Sequence, residues 1–235
     1  MSLLDVIFPI QCPGCGQWDT PLCDACGENI GPPVDVSASL PHLSRVQSDG
    51  TEISLFPVWA LSSYEDTKEI IRAWKNQPSD ALDAAIGTRV ARAVAGTADT
   101  LASRTLDVVP VPSRPARYRR DTYIAGTIAD SVARGIAAGA AAPLTVRSRD
   151  LFMPRRGRQR GRSRRERRQR DAVHTYPSPS GLSILLVDDV ATTGATLEAC
   201  WRALAEHEVL GAVCVSAVIP SSEFADLRSR PLNLE

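Results

Sequence analysis

Residues 184–196 read Ile-Leu-Leu-Val-Asp-Asp-Val-Ala-Thr-Thr-Gly-Ala-Thr, and this stretch decides the fold. Four apolar residues run into Asp188 and Asp189, a small hydroxyl-rich turn follows, and a helical pattern begins after it. An unbroken apolar run suits a strand covered on both faces, as in a parallel sheet. Such a strand delivers the chain to the carboxyl edge of the sheet, where open α/β folds hold their ligands. Thr192, Thr193, Gly194, Ala195 and Thr196 then offer hydroxyls and backbone N–H groups at a helix start, where unpaired donors and the positive dipole end attract anions. Asp188 and Asp189 are acceptor-only when ionised, which suits the hydroxyls of a ribose or a Mg²⁺ ion. Together these parts describe a site for a phosphate ester of a diol, such as a sugar phosphate.

On either side of this stretch, strand and helix patterns alternate. Strands are expected near 55–61, 107–111, 144–147, 183–187 and 212–219, and helices over 65–76, from Ser79 or Asp80 to about Gly96, along 124–136 and over 193–208. Ile124, Ile128, Val132 and Ile136 recur every four residues, the mark of an amphipathic helix. Alternation of this kind implies right-handed crossovers and a parallel sheet. The expected organisation is a metal knuckle over 1–30, a Pro/Ser/Gly-rich linker over 31–50, an α/β domain over 51–222 carrying a basic loop at 147–173, and a tail over 223–235.

The first 30 residues hold Cys12-Pro-Gly-Cys15 and, seven residues later, Cys23-Asp-Ala-Cys26. Two such knuckles can set four thiolates around one tetrahedral ion, and a filled sphere makes the site structural. Zn²⁺ fits best; iron would accept the same sulfurs, and redox-active pairs are the other use of the motif. Cys200 and Cys214 read as small buried core residues.

The chain of 235 residues carries a formal charge of zero, which hides an asymmetry. Of its 27 basic residues only Lys68 and Lys75 are lysines, and twelve of the arginines fall within 147–170, where only Asp150 and Glu166 oppose them. That segment carries +10 against −10 elsewhere and points to a polyanionic ligand or partner. It could close over a bound diphosphate as a lid or hold single-stranded DNA through phosphate contacts; Arg164, Arg165, Arg167 and Arg168 are the candidate nucleic-acid contacts. No apolar stretch approaches the ~20 residues that span a bilayer. A basic start and long apolar run are also missing from the N-terminus, so a cytoplasmic protein without membrane insertion is expected.

Residues 184–196 resemble the signature of the type I phosphoribosyltransferases, which bind phosphoribosyl diphosphate (PRPP). The resemblance implies that Asp188 and Asp189 hold the ribose hydroxyls at the catalytic centre and, through that site, Mg²⁺. It gives Ala191, Thr192, Thr193, Gly194, Ala195 and Thr196 the 5′-phosphate. The Val-Pro-Val-Pro stretch before Ser113 and Arg114 is similar to the family's second loop, which implies that these two residues contact the diphosphate. Purine-salvage members often carry a carboxylate where this chain has Thr192.

The four-cysteine knuckle, the Pro-Val-Pro loop, the run Gln159-Arg-Gly-Arg-Ser163-Arg-Arg-Glu-Arg-Arg168 and the acidic signature, in this order, resemble the ComF-type (ComFC/GntX) proteins. Lys75 in Ala-Trp-Lys-Asn matches a lysine those proteins carry, and the resemblance implies that it too binds PRPP. This chain departs from the group at Thr122-Tyr123-Ile124-Ala125 and at Arg162, which stands where a leucine is usual. The implied function is phosphoribosyl transfer to an unspecified acceptor with Mg²⁺ and structural Zn²⁺. The alternative, from members that serve competence and DNA uptake, is a non-enzymatic protein binding single-stranded DNA through the arm at 147–170. Oligomeric state is not legible.

Overall fold

The alternation of strand and helix patterns is realised as one mixed sheet with apolar cover on both faces. The computed structural model describes residues 10–77, 79–100, 105–112, 124–154 and 173–230. In chain order the elements are α1 (Asp24–Gly27), β1 (Val34–Asp35), β2 (Ser44–Val46), β3 (Glu52–Ser54), β4 (Val58–Ala60), α2 (Tyr64–Asn76), α3 (Asp80–Val94), β5 (Thr105–Pro110), α4 (Ile124–Gly139), β6 (Thr145–Ser148), β7 (Ser183–Ala191), α5 (Ala195–Ala203), β8 (Glu208–Ala217) and α6 (Ser221–Arg228). Six strands lie in the order β1-β4-β8-β7-β5-β6, parallel at every pairing except β1 against β4, while β2 and β3 form a separate hairpin. The mostly parallel α/β architecture is therefore the expected one. No helix among the described residues is long and apolar enough to cross a membrane.

One face of the sheet is covered by three helices. In α2 the Ser63 hydroxyl accepts the Glu65 N–H at 3.1 Å and caps the first turn, while Ile70, Ile71 and Trp74 form the buried stripe. Ile86 and Val90 of α3 and Ile128, Val132 and Ile136 of α4 meet Leu185 and Val187 of β7 and Val213 and Val215 of β8. Helices α3 and α4 approach closely because Gly135 has no side chain: a Cβ there would lie 2.3 Å from the Ala91 carbonyl oxygen.

The opposite face is closed differently. Leu197 and Cys200 of α5 and Phe224 of α6 share a cluster with Val34, Val36, Leu40, Leu43, Phe56, Leu151 and Phe152, which lie mostly outside regular elements. Residues 31–50, expected as a linker, thus belong to the fold. Their prolines and serines suggested a tether, but the apolar residues among them are spaced to fill the sheet's second face. The tail expected from 223 begins inside α6, which Phe224 anchors at 3% exposure.

Two strands run longer than their apolar cores suggested. β7 continues through both aspartates to Ala191, because β8 accompanies it with Val190 opposite Ser216 and Ala191 opposite Ala217. β8 starts at Glu208 rather than 212, and α5 stops at Ala203, where Leu204 N–H turns back to the Cys200 and Trp201 carbonyls. The cysteine module sits on the helical face: Ile30 is part of that core, and Leu22 and Cys26 pack against it.

Candidate active site and cysteine cluster

β7 brings the chain to the edge of the sheet with Asp188 and Asp189 in its last turn of pleat. Asp188 lies opposite the buried Cys214 of β8, and its Oδ1 accepts the backbone N–H of Asp189 at 2.8 Å. Asp189 Oδ1 accepts from Lys75 Nζ at 2.6 Å, both side chains being mostly covered (13% and 20% exposed). Lys75 sits in the last turn of α2, so a residue 114 positions away in sequence meets the acidic doublet. Burial, then the charges of Asp188 and Asp189, push the Cys214 thiol well above its ordinary range, so it stays a neutral core group.

The turn beyond Ala191 is built for close backbone approach. Gly194 takes φ +80°, the left-handed region, at the N-cap of α5. A side chain there would be strained and would also meet Leu43 at 3.0 Å and Leu40 at 3.3 Å. The residues expected to hold a phosphate, Ala191 to Thr196, therefore run from the end of β7 into the first turn of α5. Thr192, Thr193 and Ala195 are exposed, and Thr196 is half-buried.

The neighbouring strands converge on the same edge. β5 pairs with β7, with Pro110 opposite Val187, and Val111 N–H donates to the Val187 carbonyl at 2.9 Å. The chain leading toward Ser113 and Arg114 thus leaves β5 directly beside the doublet; those two residues lie outside the described part of the structure. β6 is parallel to β5 on its far side and ends at the same edge. Arg147 belongs to β6, and Arg149 Nε lies 3.1 Å from the buried Asp107 Oδ1. The first two arginines of the basic run are therefore parts of the sheet and its edge rather than of a free arm. Beyond them Phe152 bridges antiparallel to Thr175, with Met153 N–H on the His174 carbonyl and Tyr176 N–H on the Leu151 carbonyl, each at 2.8 Å. The run is thus closed at its base, while Arg164, Arg165, Arg167 and Arg168 fall outside the described residues. A cleft of about 560 Å³, lined by Pro33, Asp35, Ile53 and Arg228 among others, lies at the β1 edge and not at the doublet.

Sequence reading missed the groups behind the Gly194 turn. His42 N–H donates to the Thr193 carbonyl at 3.0 Å. Glu198, in the first turn of α5, accepts from Arg45 at 2.6 Å, from Arg202 at 2.8 Å and meets His42 Nδ1 at 3.3 Å. Burial raises the Glu198 carboxyl, but the hydrogen bonds from Arg45 and His42 and the charges of Arg202 and Arg45 outweigh it, leaving the group below the ordinary carboxylate range. The available signal was Leu40 and Leu43, two apolar residues in an otherwise polar stretch.

In the N-terminal module the four expected cysteines come together. Their sulfurs all lie within 4.8 Å of one another, with Cys15 and Cys23 at 3.5 Å. Bonds of ~2.3 Å to a tetrahedral Zn²⁺ would separate sulfurs by about 3.8 Å, so the set fits the ion with small adjustment. Burial raises Cys12, but backbone N–H groups of Cys23, Cys15 and Gly14 and the Cys23 thiol draw it down to about 6. Cys26 is raised, first by burial and then by the neighbouring sulfurs. A thiolate held by donors amid thiols that resist ionising alone is the electrostatic setting a divalent cation relieves.

Residues 125–224 match the family described as phosphoribosyl transferase domain, a span that contains α4, the acidic doublet, the Gly194 turn and β8. The match covers 100 of the chain's 235 residues. Comparison with curated proteins finds no match.

Proposed function

We propose that the protein binds PRPP at the carboxyl edge of β7 and transfers its phosphoribosyl group to an acceptor. The observation that carries this reading is the convergence at one strand end of the Asp188–Asp189 doublet, the left-handed Gly194 turn and Lys75, the doublet and the turn lying within the span that matches the phosphoribosyl transferase domain. In this reading Asp188 and Asp189 accept the ribose hydroxyls, the turn at 191–196 donates to the 5′-phosphate, and Ser113 and Arg114 contact the diphosphate. The bond from the anomeric carbon to the diphosphate oxygen breaks, its electron pair leaves with the diphosphate, and the acceptor's lone pair forms the new bond. A Mg²⁺ ion, for which the doublet offers suitable hard oxygen donors, would neutralise charge on the leaving group. Lys75 leaves Asp189 and moves to ligand phosphate as the ribose arrives. The ComF-type resemblance and a reducing cytoplasmic setting agree with four thiols kept ready for Zn²⁺.

Calorimetric titration with PRPP and Mg²⁺ tests the reading. Binding is expected in the unmodified protein. Asp188→Asn and Asp189→Asn should each weaken it about tenfold or more, the loss of a charge-assisted hydrogen bond of about 1.5–3 kcal/mol. A folded, metal-loaded protein that gives no heat with PRPP refutes it. Diphosphate release across a panel of nitrogen and hydroxyl acceptors then decides turnover.

The +10 run at 147–170 favours a second use, contact with single-stranded DNA. Replacing Arg164, Arg165, Arg167 and Arg168 by Ala should cut oligonucleotide affinity and flatten its salt dependence while Asp188→Asn leaves both intact. Unchanged affinity in the fourfold variant removes this use.

A further inference from the structure

The phosphate turn does not stand alone at the end of β7. Residues 40–45 cross behind it, roughly 150 residues away along the chain, and grip it in three ways. His42 donates its backbone N–H to the Thr193 carbonyl. Leu40 and Leu43, 2% and 0% exposed, fill the space where Gly194 lacks a side chain. Arg45 and His42 reach the Glu198 carboxylate on the first turn of α5. The segment is itself held: Leu55 N–H donates to the Leu43 carbonyl at 2.9 Å, and β2 and β3 pair just beyond it.

We propose that residues 40–45 are a positioning strap for the sugar-phosphate site: they fix the turn at 192–194 and the start of α5 in the geometry that receives a 5′-phosphate. This rests on the reading of the turn as a phosphoribosyl site. A glycine turn left without support samples many backbone states, and a ligand must order it at the cost of affinity. Here the Thr193 carbonyl is occupied from behind, which across a trans peptide points the Gly194 N–H the opposite way, and the leucine pair blocks movement of Gly194 toward residues 40–43. The Glu198 pairs tether the helix that the turn begins. Because Glu198 is engaged by Arg45, Arg202 and His42 on its own side, its negative charge is also kept off the phosphate. His42, Arg45 and Glu198 act through the turn, and none is assigned a contact with the ligand.

The test compares Arg45→Ala, Glu198→Gln and Arg45→Lys with the unmodified full-length protein. Ribose 5-phosphate probes the turn and inorganic diphosphate probes the other half of the site. For a positioning role, Arg45→Ala and Glu198→Gln should weaken ribose 5-phosphate and PRPP about three- to tenfold, leave diphosphate binding unchanged, and shift the melting temperature by less than about 4 °C. Arg45→Lys, which keeps the charge, should recover part of the loss. Variants that bind ribose 5-phosphate like the unmodified protein overturn the strap while leaving the PRPP site standing. Equal losses for both ligands, or losses that track a fall in melting temperature, make the contacts merely structural and also overturn it. An unmodified protein that binds neither PRPP nor ribose 5-phosphate removes the site reading itself.

Discussion

The two faces of the sheet are closed equally well and by different means. Ile86, Val90, Ile128 and Val132 on one face have no exposure, and Leu43, Val58, Ile184 and Leu186 on the other have none either. The first face is covered by α2, α3 and α4, each burying a stripe of residues at helical spacing. The second is covered by short helices and by irregular chain from 34–43, 55–56 and 151–152. A helix holds its shape through local hydrogen bonds, so its contribution to the core is nearly independent of the site. Irregular chain is held by what it touches, and part of what it touches is the Gly194 turn, the proposed phosphate site. Apart from Lys75 at the end of α2, the helical face should therefore carry stability alone, and the irregular face stability and binding together.

Metal removal should give the largest effect on the helical side. The cysteine cluster rests there through Ile30, Leu22 and Cys26. In metal-dependent peptides a structural zinc site supplies ~10–16 kcal/mol of apparent free energy. Chelation should lower the unfolding midpoint more than any substitution considered below, and re-added Zn²⁺ should restore it. The sign with pH follows from the thiols. Cys12 is drawn down to about 6, whereas Cys26 is raised and releases its proton to solvent only as the metal takes its place, so metal affinity falls as pH falls. A midpoint unmoved by chelation, with metal loss verified by assay, would detach the cluster from the fold.

Ile86→Ala and Leu43→Ala form the matched pair that could break the comparison. Both side chains are fully buried, and each truncation should cost about 2–5 kcal/mol in urea unfolding. Under conditions where both variants remain folded, only Leu43→Ala should weaken ribose 5-phosphate binding, since Leu43 fills the space beneath Gly194. If Ile86→Ala weakens it as much, the faces do not differ in function and global loosening explains both.

Legibility divides along the same line. The helical face could be read from sequence because Ile124, Ile128, Val132 and Ile136 repeat at a local period, and Ser79 or Asp80 marks a helix start in the chain itself. β7 could be read because a double-sided strand leaves a continuous apolar run. The irregular face could not: Val34, Val36, Leu40 and Leu43 keep no period, and their burial depends on a sheet whose other five strands lie between residues 58 and 217. For the same reason residues 31–50 suggested a linker and 223–235 a tail. The acidic doublet and the glycine turn were legible because they are contiguous. Lys75 was anticipated only by resemblance, and His42, Arg45 and Glu198 were not anticipated, since a contact between positions 45 and 198 has no signature in either neighbourhood. The extension of β7 past the acids had the same origin, its pairing with β8.

The smallest expected effect is the sharpest control. Glu69 and Arg72 pair at 2.9 Å on the outer surface of α2, much as Glu198 and Arg202 pair at 2.8 Å on α5. Both are one-turn helix pairs, and by themselves each is worth no more than about 0.5 kcal/mol. What differs is the surroundings: Glu69 is 51% exposed with solvent around it, while Glu198 is 15% exposed and also engages Arg45 and His42 beside the turn. Glu69→Gln should therefore change stability by less than about 0.5 kcal/mol and leave ribose 5-phosphate affinity where it was, although it removes the same charge as Glu198→Gln. The contrast has a further arm in salt, because an exposed pair is screened at a Debye length of about 8 Å in 0.15 M salt whereas a covered one is screened less. Equal loss of sugar-phosphate binding in the two variants would mean that net charge, acting over distance, sets the affinity; a loss confined to Glu198→Gln would mean that the irregular face reaches the ligand through the turn it supports.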